Sequence, residues 1–149
     1  MSTTWLDSAQ WLAVLRIGLG LWWVESFRHK DKAAWLKRGA GISWGASVAD
    51  KHKWQFVRKG FDVVVKPHPK LMAYVVVFGE LAIGLGLVFG FLTPIAAAAG
   101  LVLNLIYFVL MITDWAEQGQ NLMMALASVV VLGSHAWNVW SIDSLLHIF

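Results

Sequence analysis

The chain has 149 residues, 58% of them apolar and 14% charged, with a mean hydropathy of +0.62; a soluble domain of this size would need far more polar surface, because most of its exterior would face water. Cysteine is absent, which excludes a disulfide framework, a thiolate metal site, an iron–sulfur cluster and a cysteine nucleophile. The formal charge of +3 would suit nucleic acid, but 11 of the 12 Lys and Arg fall between Arg28 and Lys70, so the clustering bears on membrane topology first and no nucleic-acid partner is expected.

The first apolar run, 10–27, holds Leu12, Val14, Leu15, Ile17, Leu19, Leu21, Trp22 and Trp23, interrupted by Arg16 and Glu25. It is just long enough to span a bilayer. Residues 1–10 lack the basic cluster and the small-residue cleavage site of a signal peptide, so this first segment is expected to be retained. The stretch from Arg28 to Lys70 is too polar to span. Within it, Ala33 to Arg38 forms a weak segment around Trp35 and Leu36. Trp54, Val57, Phe61, Val64 and Val65 then recur at helical spacing, while Lys53, Arg58, Lys59, Asp62 and Lys66 fall largely elsewhere around the helix, the pattern of an amphipathic helix in the membrane interface. Lys66-Pro67-His68-Pro69 ends it with a helix break.

The second apolar run, 71–91, has Glu80 as its single charge; the third, 94–113, has none; the fourth, 121–140, is uncharged with His135 neutral. Leu92, Thr93 and Pro94 link the second to the third, with Pro94 suited to a helix's first turn. Asp114 to Gln120 turns the third into the fourth, with Gly119 available for a left-handed backbone position. The expected architecture is therefore all-α: one membrane domain over 1–149, a four-helix transmembrane bundle with an interfacial helix in its first loop. The positive-inside rule puts the loop 28–70 in the cytoplasm, beside anionic headgroups, and both termini outside. Trp5, Trp11, Trp137 and Trp140 would then form one aromatic belt, and Trp22, Trp23, Trp54 and Trp115 the other.

Glu80 lies near the middle of its span, where an unpaired carboxylate is costly; it should be protonated, paired or in a wet cavity. Arg16 is the expected partner, because antiparallel spans would offset the two by about 7 Å along the axis at 1.5 Å per residue. Such a pair could fix the register of two helices or form a polar site for a quinone headgroup or a proton. Glu25 is expected to pair with Arg28 or His29. Asn104 and Tyr107, on neighbouring faces of the third span, could hydrogen-bond across helices or to a carbonyl ligand. His135 and His147 lack the matched axial placement of a transmembrane haem site, and His29, His52 and His68 are expected to be solvated or lipid-facing rather than metal ligands. Ala82, Gly86 and Gly90, with Ala96 and Gly100, recur every four residues and permit close helix contact, and Gly18 and Gly20 sit in the first span. No nucleotide loop, nucleophile elbow or zinc-protease motif is present.

Across nearly its whole length the chain resembles the DoxX and DoxD family of small bacterial membrane proteins. Leu15-Arg16-Ile17-Gly18-Leu19-Gly20 looks like the family's first-helix signature, Gly79-Glu80-Leu81-Ala82-Ile83-Gly84-Leu85-Gly86-Leu87 is similar to its Glu-and-Gly second helix, and Ser141-Ile142-Asp143 resembles the Ser-Leu-Asp near its C-terminus. The long basic loop departs from the shorter family pattern. The resemblance implies a location in the bacterial inner membrane and a place among subunits linked to quinone-dependent redox chemistry, including the small subunit of thiosulfate:quinone oxidoreductase.

The leading expectation is an accessory subunit of a respiratory or sulfur-oxidising complex that helps to form a quinone site or anchors a redox subunit. Arg16 and Glu80 would line its interior, with Asn104, Tyr107 and Asp143 as further candidates. Quinone is the expected cofactor, with no haem, iron–sulfur cluster or metal held by this chain alone. Any redox centre would come from a partner subunit, so the isolated chain is not expected to catalyse a reaction. A structural or assembly protein recruiting its partner through the basic loop stays open, as do a small transporter and a homo-oligomer.

Overall fold

The computed structural model describes residues 6–149 and is helical throughout, with no strand among the described residues. Trp5, expected in one aromatic belt, lies outside them. Helix α1, Ser8–His29, starts at a capping box in which Asp7 Oδ1 accepts from the Gln10 amide (2.8 Å) and Gln10 Oε1 accepts from the Asp7 amide (2.9 Å). A π-helical turn, Ala33–Lys37, leads to α2, Ala40–Asp50. Helix α3, Gln55–Gly60, runs directly into a second π-helical turn, Phe61–Val65. Helix α4, Pro69–Phe89, opens with Pro69 in its first turn, where a missing N–H costs nothing, and stops at Gly90 in the left-handed conformation (φ +63°). Helix α5 spans Thr93–Leu110, α6 Trp115–Gly133 and α7 Ile142–Leu146.

Three differences from the sequence reading have local causes. Helix α2 was not anticipated, because Gly41 and Gly45 lower helix propensity; here they serve packing instead, with a Cβ on Gly41 colliding with the Trp35 ring and one on Gly45 touching Phe61. Gly119 is not a turn residue. Asp114 caps α6 by accepting from the Ala116 and Glu117 amides, both at 3.1 Å, so the helix starts at Trp115 and Gly119 is inside it. That helix also ends at Gly133 rather than continuing to 140: the chain then turns, with His135 and Trp140 both at φ +51°.

The four long helices pack in a ring in which α1 meets α4, α4 meets α5, α5 meets α6 and α6 returns to α1. Glycine sets the closest approach. A Cβ on Gly20 would lie 2.7 Å from the Val88 amide nitrogen and 2.8 Å from the Gly84 carbonyl oxygen, and one on Gly84 would lie 2.9 Å from the Val24 nitrogen, so α1 and α4 touch backbone to backbone. Gly86 faces Ala96 across α4 and α5, Gly100 faces Ile83 and Trp23, and Gly18 faces open space. Leu19, Trp23, Leu87, Ala97 and Val131 fill the interior of the ring.

The loop region docks onto one end of this ring. Ala49 and Val57 pack with Leu110 and Met111 at the end of α5. His52, expected to be solvated or lipid-facing, is buried instead: its Nε2 bonds to the Val109 carbonyl (3.0 Å) and its Nδ1 accepts from the Trp54 amide (3.1 Å). Burial needs a satisfied imidazole, and a neutral ring with the proton on Nε2 meets both bonds. The Arg58 guanidinium also donates to the His52 carbonyl. Lys66 bridges Asp50 and Asp62, both at 2.6 Å, which raises its ammonium pKa above the usual lysine value.

Helices α4 and α5 are long and apolar enough to cross a membrane. Exposed apolar side chains lie on all four long helices: Leu21 and Trp22 on α1, Val75 and Phe78 on α4, Val102 and Ile106 on α5, and Met123, Leu126 and Val129 on α6, with exposed polar residues at the end of α1 (Arg28, His29) and the start of α6 (Glu117, Gln120). Trp11, Trp22, Trp54, Trp115 and Trp140 are exposed, whereas Trp23 and Trp137 are buried and so take no part in a belt.

Candidate functional site

The sequence pointed to an Arg16–Glu80 pair, and the α1–α4 register separates the two. Gly20 sits against Gly84 and Val88, and Arg16 reaches Gly90, where a Cβ would collide with its guanidinium. Gly90 is ten residues from Glu80, about 15 Å along the helix at 1.5 Å per residue, twice the offset expected and beyond the reach of an arginine. Arg16 and Glu80 therefore belong to two polar clusters, one at each end of the ring.

Arg16 and Asp143 make the first cluster. Arg16 is fully buried and donates through one terminal nitrogen to the Trp140 carbonyl at 2.6 Å, three residues before Asp143. Asp143, also fully buried, accepts from the Leu92 amide (2.7 Å) and the Thr93 amide (2.8 Å). It thereby caps the start of α5 from α7, satisfying donors that a helix N-terminus leaves orphaned. The Asp143 amide in turn donates to the Gly90 carbonyl at 2.8 Å. These contacts tie the C-terminal segment to the α4–α5 turn, away from the other candidates, and leave Arg16 Nε and Nη1 buried without a hydrogen-bond partner.

Glu80, Tyr107 and Asn104 make the second cluster, completed by residues the sequence reading did not single out. Glu80 Oε2 accepts from Lys30 Nζ at 2.5 Å and from Ser26 Oγ at 3.0 Å, while Oε1 accepts from the Tyr107 hydroxyl at 3.0 Å. Glu80 is almost wholly buried and the Lys30 side chain only 13% exposed. A buried ion pair is tolerable only when hydrogen bonds fill the remaining valences, and Ser26 and Tyr107 do that here. Lys30 also bonds to Ser26 Oγ (3.0 Å) and lies 5.1 Å from the centre of the Trp35 ring. Lys30 follows the last turn of α1, and its four-carbon stem carries the ammonium back to Glu80. Counted as a loop residue, it offered no sign in sequence of this return. Glu25, as expected, pairs with its own helix neighbours, Arg28 at 2.6 Å and His29 at 2.8 Å.

This cluster opens on a cavity of about 490 Å³ lined by α1, α4, α5 and α6 together with the loop region, including Trp23, Ser26, Lys30, Trp35, Glu80, Asn104 and Tyr107. Asn104 is fully buried, yet neither its Oδ1 nor its Nδ2 has a hydrogen-bond partner; the same holds for Nε1 of the buried Trp23. Unpaired buried polar groups cost free energy and are rare in folded proteins. Both side chains border the cavity, with the unpaired atoms themselves closed off from it; Arg16 Nε and Nη1, Thr93 Oγ1 and Ser134 Oγ are likewise buried without a partner elsewhere in the bundle. Besides Ser26, Lys30, Glu80 and Tyr107, the wall carries Glu117, Gln120 and Asn121 from α6; the remainder is mostly apolar and aromatic. Among the described residues no three His, Asp or Glu converge as a metal-ligand set.

No curated protein and no solved structure matches the chain. The DoxX family model matches residues 11–113, which takes in α1 from its fourth residue through α5 and with them Ser26, Lys30, Glu80, Asn104 and Tyr107. A match over this share of the sequence, on a helical chain with exposed apolar side chains, establishes that the protein belongs to the DoxX family.

Proposed function

We propose that this protein is an accessory membrane subunit of a quinone-linked respiratory or sulfur-oxidising complex, and that the Glu80 cavity receives the quinone headgroup. The observation that carries the proposal is the hydrogen-bonded cluster of Glu80, Tyr107, Ser26 and Lys30 on the wall of a largely apolar cavity of about 490 Å³. A quinone presents carbonyl oxygens to the donors of such a cluster and flat faces to aromatic walls. When bound, the group supplies two-electron, two-proton redox chemistry, with the electrons arriving from a partner subunit. The chain's own residues orient and exclude water: the aromatic wall with Trp22, Trp35 and Trp44 would flank the ring, while Tyr107, Glu80, Ser26 and Lys30 form a hydrogen-bonded row that can hold a proton beside it.

The same reading makes the four long helices a transmembrane bundle over 1–149, with α2, α3 and the π-helical turns lying in the interface. The support is the exposed apolar side chains on α1, α4, α5 and α6 and the concentration of basic charge in 28–70, which the positive-inside rule assigns to the cytoplasmic leaflet.

The test is purification from the native membrane in mild detergent, with mass spectrometry of co-purifying proteins and extracted quinone. Stoichiometric quinone together with a redox subunit supports the proposal. Recovery of the protein without quinone sinks the headgroup reading and favours an assembly role, in which the basic loop recruits the partner and Lys30–Glu80 only fixes the helix ends.

A further inference from the structure

The loop region forms one wall of the Glu80 cavity. Helix α2 supplies Ile42, Trp44 and Gly45 to that wall, and the π-helical turn after α3 supplies Phe61, Val64 and Val65. Phe61 also packs on the cluster of Ala49, Val57, Leu110 and Met111, and Leu110 and Met111 line the cavity themselves. The contact that holds the loop region to the end of α5 is therefore continuous with the cavity wall. Lys66, bridging Asp50 and Asp62, ties the end of α2 to the turn after α3, so the two parts of this roof are joined.

His52 is the polar link in that contact. It sits in the corner 51–54 between α2 and α3 and is only 4% exposed. Its two ring bonds run in opposite senses, because the Val109 carbonyl can only accept and the Trp54 amide can only donate. A neutral ring meets both. An imidazolium carries a hydrogen on each nitrogen, so it keeps the bond to Val109 but sets its Nδ1–H against the Trp54 N–H, and it brings a charge into a buried site. The charged neighbours do not offset that charge. Arg58, from α3, donates to the His52 carbonyl and is itself a cation, and Lys51 and Lys53 flank the ring in sequence. Asp50, at the end of α2, is exposed and bonded to Lys66, and α5 contributes Val109, Leu110 and Met111, none of which titrates. Among the described residues no carboxylate bonds to the His52 ring.

We propose that His52 is a proton-sensitive latch on the roof of the cavity: neutral, it pins the α2–α3 corner to the end of α5; protonated, it releases the corner and opens the cavity from the loop side. The latch acts in the same way on any occupant of the cavity. Histidine as a side chain changes charge between about pH 5 and pH 8, which sets the range of the test.

The experiment follows hydrogen–deuterium exchange of the full chain in lipid nanodiscs at about pH 8 and about pH 5, with labelling times scaled to the intrinsic amide rate. Peptides of α2, the corner and the turn 61–65 should together lose protection by at least about tenfold at the lower pH, while α5 keeps its own. His52→Gln places an N–H and a carbonyl at the end of its side chain and can make both bonds without titrating, so it should stay docked at both pH values. Nitrogen-15 shifts of labelled histidine, with the His52 signal identified by its loss in His52→Gln, should titrate with the same midpoint as the exchange. Equal protection of the wild type at the two pH values overturns the inference, as does an equal acid loss in His52→Gln. Exchange confined to 51–54, with α2 and the turn still protected, makes the event local and overturns the latch. Where His52→Gln is undocked at both pH values, the wild-type midpoints decide: coincidence supports the latch, and separate midpoints overturn it.

Discussion

At the scale of single residues, the candidate site separates groups that hold the fold from groups that await a partner. Asn104 is the clearest of the second kind, since its amide is buried with both polar atoms unpaired. Replacing it by leucine, which has the same branching but larger methyl ends, removes unsatisfied groups worth about 1–3 kcal/mol and should raise stability by whatever part of that overpacking does not offset. Thermal unfolding in detergent checks this, and a simultaneous rise in Tm and loss of quinone would identify a residue kept for binding at the expense of stability. Lys30 is of the first kind. Its removal in Lys30→Met strands the Glu80 carboxylate and should cost about 3–5 kcal/mol. The double variant Lys30→Met with Glu80→Gln should recover most of that, because no uncompensated charge remains. A double variant as unstable as the single one would mean that Lys30 acts through its packing on Trp35 rather than through charge.

At the scale of elements, glycine placement decides how α1 and α4 meet. Gly18 and Gly20 are two residues apart in one helix and look alike in sequence, yet they predict opposite outcomes. Gly20→Leu must push α1 away from Val88 and Gly84 and should cost at least about 1–3 kcal/mol, with collapse of the helix contact. Gly18→Leu projects into open space and should be neutral or slightly stabilising, since leucine favours a helix more than glycine does. Denaturation of the two variants side by side tests the register directly. Lys66 belongs to this scale too, pinning the end of α2 to the turn after α3. Its exposed bridges to Asp50 and Asp62 should contribute little, so Lys66→Met is expected to leave Tm nearly unchanged. The stability they do add is present below the unfolded lysine pKa and is lost as pH rises through the higher folded value, above 10.5.

At the scale of the whole molecule, the distribution of charge makes the topology testable. Lys51 is exposed at the end of α2, within the basic region. A single cysteine there, in a chain that has none of its own, should react with a membrane-impermeant thiol reagent only after the cells are opened. Labelling from outside intact cells would reverse the orientation proposed for the loop 28–70.

The sequence by itself determined the helical, membrane-suited character of the chain and its family, because these depend on local quantities: the length of apolar runs, the scarcity of charge in them, and motifs read in order. It also isolated Glu80, Tyr107 and Asn104, since polar groups in apolar helices are few enough to stand out. It did not reveal their neighbours. Lys30 and Ser26 meet Glu80 across 50 and 54 residues, and Arg16 bonds to the Trp140 carbonyl across 124 instead. Those pairings rest on the register of α1 against α4, which the Gly20–Gly84 contact sets to within a single turn. Tertiary structure alone decided them, because an error of one turn in register displaces a side chain by about 5 Å, more than the length of any hydrogen bond.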